Sequence, residues 1–311
     1  MTGTLTSELA GLATAVLWAC SAMVWGVLGR RRGIAPTAVA TMRLAIASAL
    51  LLTGHALFYG RFWPAGVPPK ALALLVLSGV AGIGVGDLLY FKSLVLIGPR
   101  LSMTLGSLAP VVAAVLAWLP PMRERLDWRG ATGMLLAIGG VIWVVMEKRG
   151  RESWPTTPAG FRRGVVYSVL NVLVTAVAFL CSRAGMVYCS ASPVPPFSAA
   201  CIRVAAATVF CWALMALTGR LGTTVAPFRD RVNLGWLSLG TTIGMVIGVS
   251  LSMVAMQGAA TGVATTLISM SPLALIPLTW AAYGERPTWG RVVATVVAMG
   301  GIGLLMLSGK G

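Results

Sequence analysis

The sequence predicts an all-α polytopic membrane protein of ten transmembrane helices, and three observations carry that expectation. Of its 311 residues, 57% are hydrophobic and only 10% charged, where a soluble globular domain carries about 25% charged residues. Apolar segments of roughly 20 residues, the length a helix needs to cross about 30 Å of hydrocarbon, recur along the chain with short breaks. The second half also restates the first. In lipid every backbone polar group must be satisfied within the chain, so apolar segments of this length are read as helices.

The ten segments fall at residues 9–28, 36–59, 71–97, 101–120, 130–146, 164–182, 197–217, 233–256, 260–282 and 291–308. The first is longer than a signal-peptide core and lacks a small-residue cleavage site, so it is expected to remain as helix 1. It sets Thr14, Trp18, Ser21 and Trp25 on one helical face,. Helix 2 carries Arg43 seven residues after Pro36, and His55 near its end. Helix 3 is glycine-rich through Gly79, Gly82, Gly84 and Gly86, then polar at Asp87, Tyr90 and Lys92. Helix 4 holds Ser102, Thr104, Ser107 and Pro110, and the proline is expected mid-helix as a bend,. Glu124 and Glu285 precede helices 5 and 10, where a carboxylate meets the positive helix end,. Helix 6 repeats a polar stripe with Tyr167, Asn171, Thr175 and Ala178. Helix 7 carries Arg203, helix 8 carries Gly240, Gly244 and Gly248, and helix 9 carries Thr265, Thr266, Ser269 and Pro272.

The internal repeat is legible in register. Pro36 and Arg43 become Pro196 and Arg203, an offset of 160, and Pro110 and Trp118 become Pro272 and Trp280, an offset of 162. Helix 6 is aligned on helix 1 at an offset of 153, which places Tyr167 on Thr14 and Asn171 on Trp18. The expected organisation is a first five-helix repeat at 1–148, a polar linker at 149–163 and a second five-helix repeat at 164–311. An odd number of crossings makes the second copy enter the membrane upside down. Such inverted repeats are the sequence mark of secondary transporters, whose substrate site lies between the copies near the midplane.

The duplicated "RE" and "GE" loops, the "MR" and "IR" of the second helices and the prolines of helices 4 and 9 resemble the EamA-type branch of the drug/metabolite transporter superfamily. The resemblance covers about residues 9 to 308; Arg123 stands where the family's loop usually has glycine. It implies ten helices around a central cavity, export of amino acids or other small metabolites, and a bacterial-type inner (plasma) membrane. The alternative is a flippase for a lipid-linked or amphipathic molecule, which would need a cavity open to lipid.

The residues then divide by role. Trp18, Ser21, Trp25, Asp87, Tyr90, Asn171 and Thr175 are the expected substrate-binding residues, because polar and aromatic side chains in lipid must face protein or a watery cavity,. Arg43, Lys92, Pro110, Arg203 and Pro272 are expected in structural or coupling roles. Asp87 is within reach of Arg43 or Lys92. It is read either as half of a buried ion pair or as a site for a cation or proton; the second copy keeps Arg203 but has Val249 in the place of Asp87,.

Enzyme chemistry is not expected. His55 is the only histidine, too few for a metal site or a histidine-based triad,, and no phosphate-binding loop is present. The five cysteines sit in or beside apolar segments and read as packing residues,. No cofactor or metal is expected. The expected partners are a small-molecule substrate and the lipid bilayer, with no nucleic acid and no obligate protein partner. The net charge of +16 resides in short loops, as membrane topology requires,. Counting Lys and Arg by loop puts both termini outside, whereas the family resemblance implies both inside.

Overall fold

The computed structural model describes residues 2–106, 108–119, 127–146, 157–189, 193–271, 273–274, 278 and 289–308. Among these the chain is helical throughout, with no strand. The first half contains α1 (Thr2–Arg32), α2 (Pro36–Tyr59), α3 (Pro69–Ser78), α4 (Asp87–Gly106), α5 (Ala109–Leu116) and α6 (Trp128–Met146). The second half contains α7 (Pro158–Arg183), α8 (Pro196–Leu217), α9 (Leu221–Val225), α10 (Arg231–Thr241), α11 (Val249–Gly258), α12 (Thr261–Ile268) and α13 (Trp289–Ser308). Six described helices are long and apolar enough to cross a membrane: Leu5–Trp25, Thr37–Tyr59, Pro69–Ser93, Pro158–Tyr188, Pro196–Leu217 and Arg231–Gly258. They are the first three crossings of each half.

Local chemistry sets the ends. Proline opens α2, α3, α7 and α8, where its missing N–H is one of the groups a helix start leaves unpaired anyway,. Gly60 closes α2 at φ 69°, its N–H donating to the Ala56 carbonyl, a left-handed cap that glycine adopts without strain.

Four expectations change. α4 runs unbroken through residues 97–101, where a loop between helices 3 and 4 was expected. The break comes later, at Leu108, so Pro110 lies in the first turn of α5, where its missing N–H is one of the groups a helix start leaves unpaired anyway. α7 begins at Pro158, inside the stretch expected as linker, because Thr157 caps it by accepting from the Gly160 N–H at 3.1 Å. The fourth is the register of helix 6 on helix 1, treated below. Pro272, Trp280, Ser107, Glu124 and Glu285 lie outside the described residues.

Between α3 and α4 the glycine-rich stretch Gly79–Gly86 winds as π-helix, and between α10 and α11 so does Thr242–Gly248. The two segments end at Gly86 and Gly248, 162 residues apart, so the widened turn is itself duplicated. A π-turn shifts carbonyls out of the ordinary ladder and is frequent at functional sites. Here Trp18 Nε1 donates to the Gly244 carbonyl at 3.1 Å and the Thr14 hydroxyl reaches the Gly248 carbonyl at 3.3 Å.

Equivalent helices of the two halves pack on each other. Ser48 and Thr208, 160 residues apart, share a hydrogen bond of 2.7 Å between α2 and α8. Farther along α2, the Leu51 carbonyl accepts from Cys201 and His55 Nε2 bonds Ser198 at 3.0 Å. Rising numbers on α2 meet falling numbers on α8, so the two helices are antiparallel. α6 and α13 repeat the pattern: a Cβ at Gly140 would lie 2.6 Å from Ala298 Cβ, and one at Gly301 would lie 2.7 Å from the Gly133 carbonyl and against Ala137. Ala137 and Gly140 correspond to Ala298 and Gly301 at an offset of 161, so each half gives the other the same contact.

Candidate functional site

Beside the Ser48–Thr208 contact lies a buried charge. Arg43, 4% exposed on α2, donates from Nη2 to Asp87 Oδ2, the first residue after the π-turn of the first half. Its guanidinium also stacks over Trp25 of α1 at 4.5 Å and faces Phe91 at 5.8 Å. The cation thus has a carboxylate on one edge and an indole face beneath it. Cation–π contact contributes about 0.5–1 kcal/mol at exposed sites and more where water is excluded. Asp87 is the more accessible partner, with 29% of its side chain exposed against 5% for Arg43.

The α1 stripe is held against the glycines of helix 8. Trp18, Ser21 and Trp25 meet Gly248, Gly244 and Gly240 in turn, each at a distance that leaves no room for a Cβ. In the other half Gly86 faces Asn171 and Thr175, Gly82 faces Ala178, and Ser78 bonds Ser182 at 2.6 Å. Ser21 therefore corresponds to Ala178 and Trp25 to Ser182, an offset of 157 in place of the expected 153. The first half meets helix 8 with indoles; the second meets helix 3 with small polar residues.

The EamA-like transporter family matches the chain twice, over residues 5–146 and 162–307. The chain belongs to the EamA-like transporter family. Both matches start one helix 1 to helix 6 offset apart, 5 to 162, which is the 157 read from the contacts. A solved crystal structure resembles the chain with a TM-score of 0.72 over 99% of each chain at 16% identity, which shows a shared fold. No curated protein matches it in sequence.

Within this EamA-like chain the expected site residues fall into two groups. Arg43, Asp87 and Trp25 come together directly, with Tyr90 next to Phe91 at 5.7 Å between rings. Asn171 and Thr175 form their own pair, the Thr175 hydroxyl donating to Asn171 Oδ1 at 3.2 Å beside Gly86. Lys92 does not reach for Asp87: its ammonium lies 5.5 Å above the Tyr167 ring. Arg203 is 4% exposed and donates from Nη1 to the Met253 sulfur at 3.1 Å.

Among the described residues one cleft of about 370 Å3 lies among His55, Tyr59, Arg61 and Ser198, and another of about 520 Å3 among Arg162, Arg163 and Tyr167. Neither is lined by Trp18, Trp25, Asp87, Tyr90, Asn171 or Thr175, and neither touches the ion pair.

Sequence reasoning missed several polar contacts. Ser93 bonds both Ser102 and Ser168, joining α4 to α7. Arg183 donates to the Met256 carbonyl at 2.5 Å and to that of Ala259, closing the end of α11. A lone serine in an apolar run carries no sequence signal. Ser48 and Thr208 did carry one, because they keep the 160 offset of Arg43 and Arg203.

Proposed function

We propose that this EamA-like transporter is a secondary transporter that exports a small metabolite, an amino acid or similar amphipathic compound, by alternating access between two inverted five-helix repeats. The supporting observation is the antiparallel meeting of equivalent helices at Ser48–Thr208 and at Gly140–Ala298, with the Arg43–Asp87 pair beside the first. Equivalent helices that run antiparallel while both cross the bilayer have opposite topology. Two halves of opposite topology convert an inward-open arrangement into an outward-open one by exchanging their conformations.

Asp87 is the group this reading assigns to substrate or proton, since it is the more accessible partner and its release leaves Arg43 still stacked on Trp25. Trp25, Tyr90 and Phe91 supply flat apolar area around it, suited to an amphipathic molecule. The test is flux. The purified chain in proteoliposomes, loaded in turn with radiolabelled amino acids and amphipathic amines, should release at least one of them faster than protein-free liposomes. Release at the protein-free rate for the whole panel contradicts the reading.

A further inference from the structure

Arg203 is the exact counterpart of Arg43 in register and the opposite of it in pairing. On α2 the guanidinium meets Asp87 and Phe91; at the same 162 offset α11 offers Val249 and Met253. The Met253 sulfur is in place at 3.1 Å, where Phe91 stands in the other half, so the geometry is preserved and the carboxylate is missing. Arg203 Nε has no hydrogen-bond partner, and among the described residues no carboxylate forms an ion pair with it. The side chain is 4% exposed and its backbone lies against Gly79. A thioether is a weak acceptor and does not balance a buried guanidinium.

The sequence supplies no substitute nearby. Of the eight acidic residues, Glu124, Asp127, Glu147, Glu152, Asp230 and Glu285 lie between the apolar segments, Asp87 is committed to Arg43, and Glu8 is buried near the start of α1 with no ion pair to Arg203 among the described residues. Two more buried donors point the same way: Trp25 Nε1 and Arg43 Nε are also without a partner. At the two arginines, Arg43 Nε, Arg203 Nε and the neighbouring Trp25 Nε1 are thus buried donors without an acceptor, which is the polarity of a site for an anionic group.

We propose that Arg203 binds a carboxylate that the chain does not itself provide, in the position that Asp87 occupies in the first half. A guanidinium receives a carboxylate through two parallel N–H donors, which selects it over a spherical anion. The identity of the carrier rests on the transporter reading: the carboxylate belongs to the transported molecule, and each passage supplies the missing half of the pair.

The experiment measures binding and not flux, so its failure is separate from failure of the transport reading. The full chain in detergent is melted in sodium fluoride, whose spherical, strongly hydrated anion offers no pair of coplanar oxygens, and then with acetate or chloride replacing it at constant ionic strength. Acetate should raise Tm saturably by about 2 °C or more, and chloride should give less. Val249→Asp, which builds the counter-charge into the chain, should melt higher in fluoride than Val249→Asn and should lose the acetate response. Arg203→Met should lose the response as well. A wild-type Tm indifferent to acetate overturns the proposal. So does an equal response to chloride, which would make the site a general anion site, and so does Val249→Asp retaining the acetate shift or melting below Val249→Asn.

Discussion

Arg43 is held in the membrane by two attractions of different kind, a carboxylate and an aromatic face, and they fail differently. Removing one partner of a fully buried pair costs about 3–5 kcal/mol, because the other charge is left alone. Asp87 is partly exposed and Trp25 remains, so Asp87→Asn should cost less than that, fold, and lose substrate flux or its pH dependence. Wild-type flux at every pH with an unchanged Tm would remove Asp87 from the mechanism. Ser48 gives a smaller effect: Ser48→Ala takes one hydrogen bond from Thr208, which still donates to the Val204 carbonyl at 2.8 Å. The loss should be about 0.5–1.5 kcal/mol in a denaturant or thermal series; a larger one would mean that the contact between α2 and α8 holds more than this one bond. At this scale the sequence marked Arg43 and Asp87, because charge in an apolar run stands out. It left Lys92 ambiguous between Asp87 and any other group, since direction around a helix decides that and Tyr167 comes from the other half.

The glycines of α6 and α13 separate packing from propensity between neighbours in sequence. A Cβ at Gly140 would press on Ala298 and the Ala294 carbonyl, at 2.6 and 2.7 Å, while one at Gly139 meets nothing within 4 Å. Gly140→Ala should therefore destabilise by about 1–3 kcal/mol through overpacking. Gly139→Ala should stabilise by about 0.5–1 kcal/mol through helix propensity. Gly301→Ala and Gly300→Ala should repeat the contrast, and equal Tm values for the two members of either pair would contradict the close packing of α6 on α13. The four-residue spacing of Gly240, Gly244 and Gly248 announced a close approach, but not that indoles from α1 fill it. The misregister of helix 6 has a simple cause: 153 and 157 differ by four residues, about one helical turn, and a polar stripe matches itself nearly as well after one turn. The gap expected between segments 71–97 and 101–120 contains Gly98 and Pro99, yet the backbone of α4 continues across it.

The whole molecule is organised by repetition. The duplicated prolines and arginines made the two halves readable, and an odd number of segments per half gave the inversion as a corollary. What sequence could not supply was which helices meet, because contacts such as Ser48–Thr208 span the length of a repeat. The account stands or falls on the opposite topology of those halves. Residue 65, after α2, and residue 218, after α8, occupy corresponding connections and are both exposed. Ala65→Cys and Thr218→Cys, each placed in a chain from which the five native cysteines have been replaced, can be labelled with a membrane-impermeant maleimide in right-side-out and in inside-out vesicles. The account predicts that one position labels only in the first preparation and the other only in the second; both labelling from the same side would contradict it.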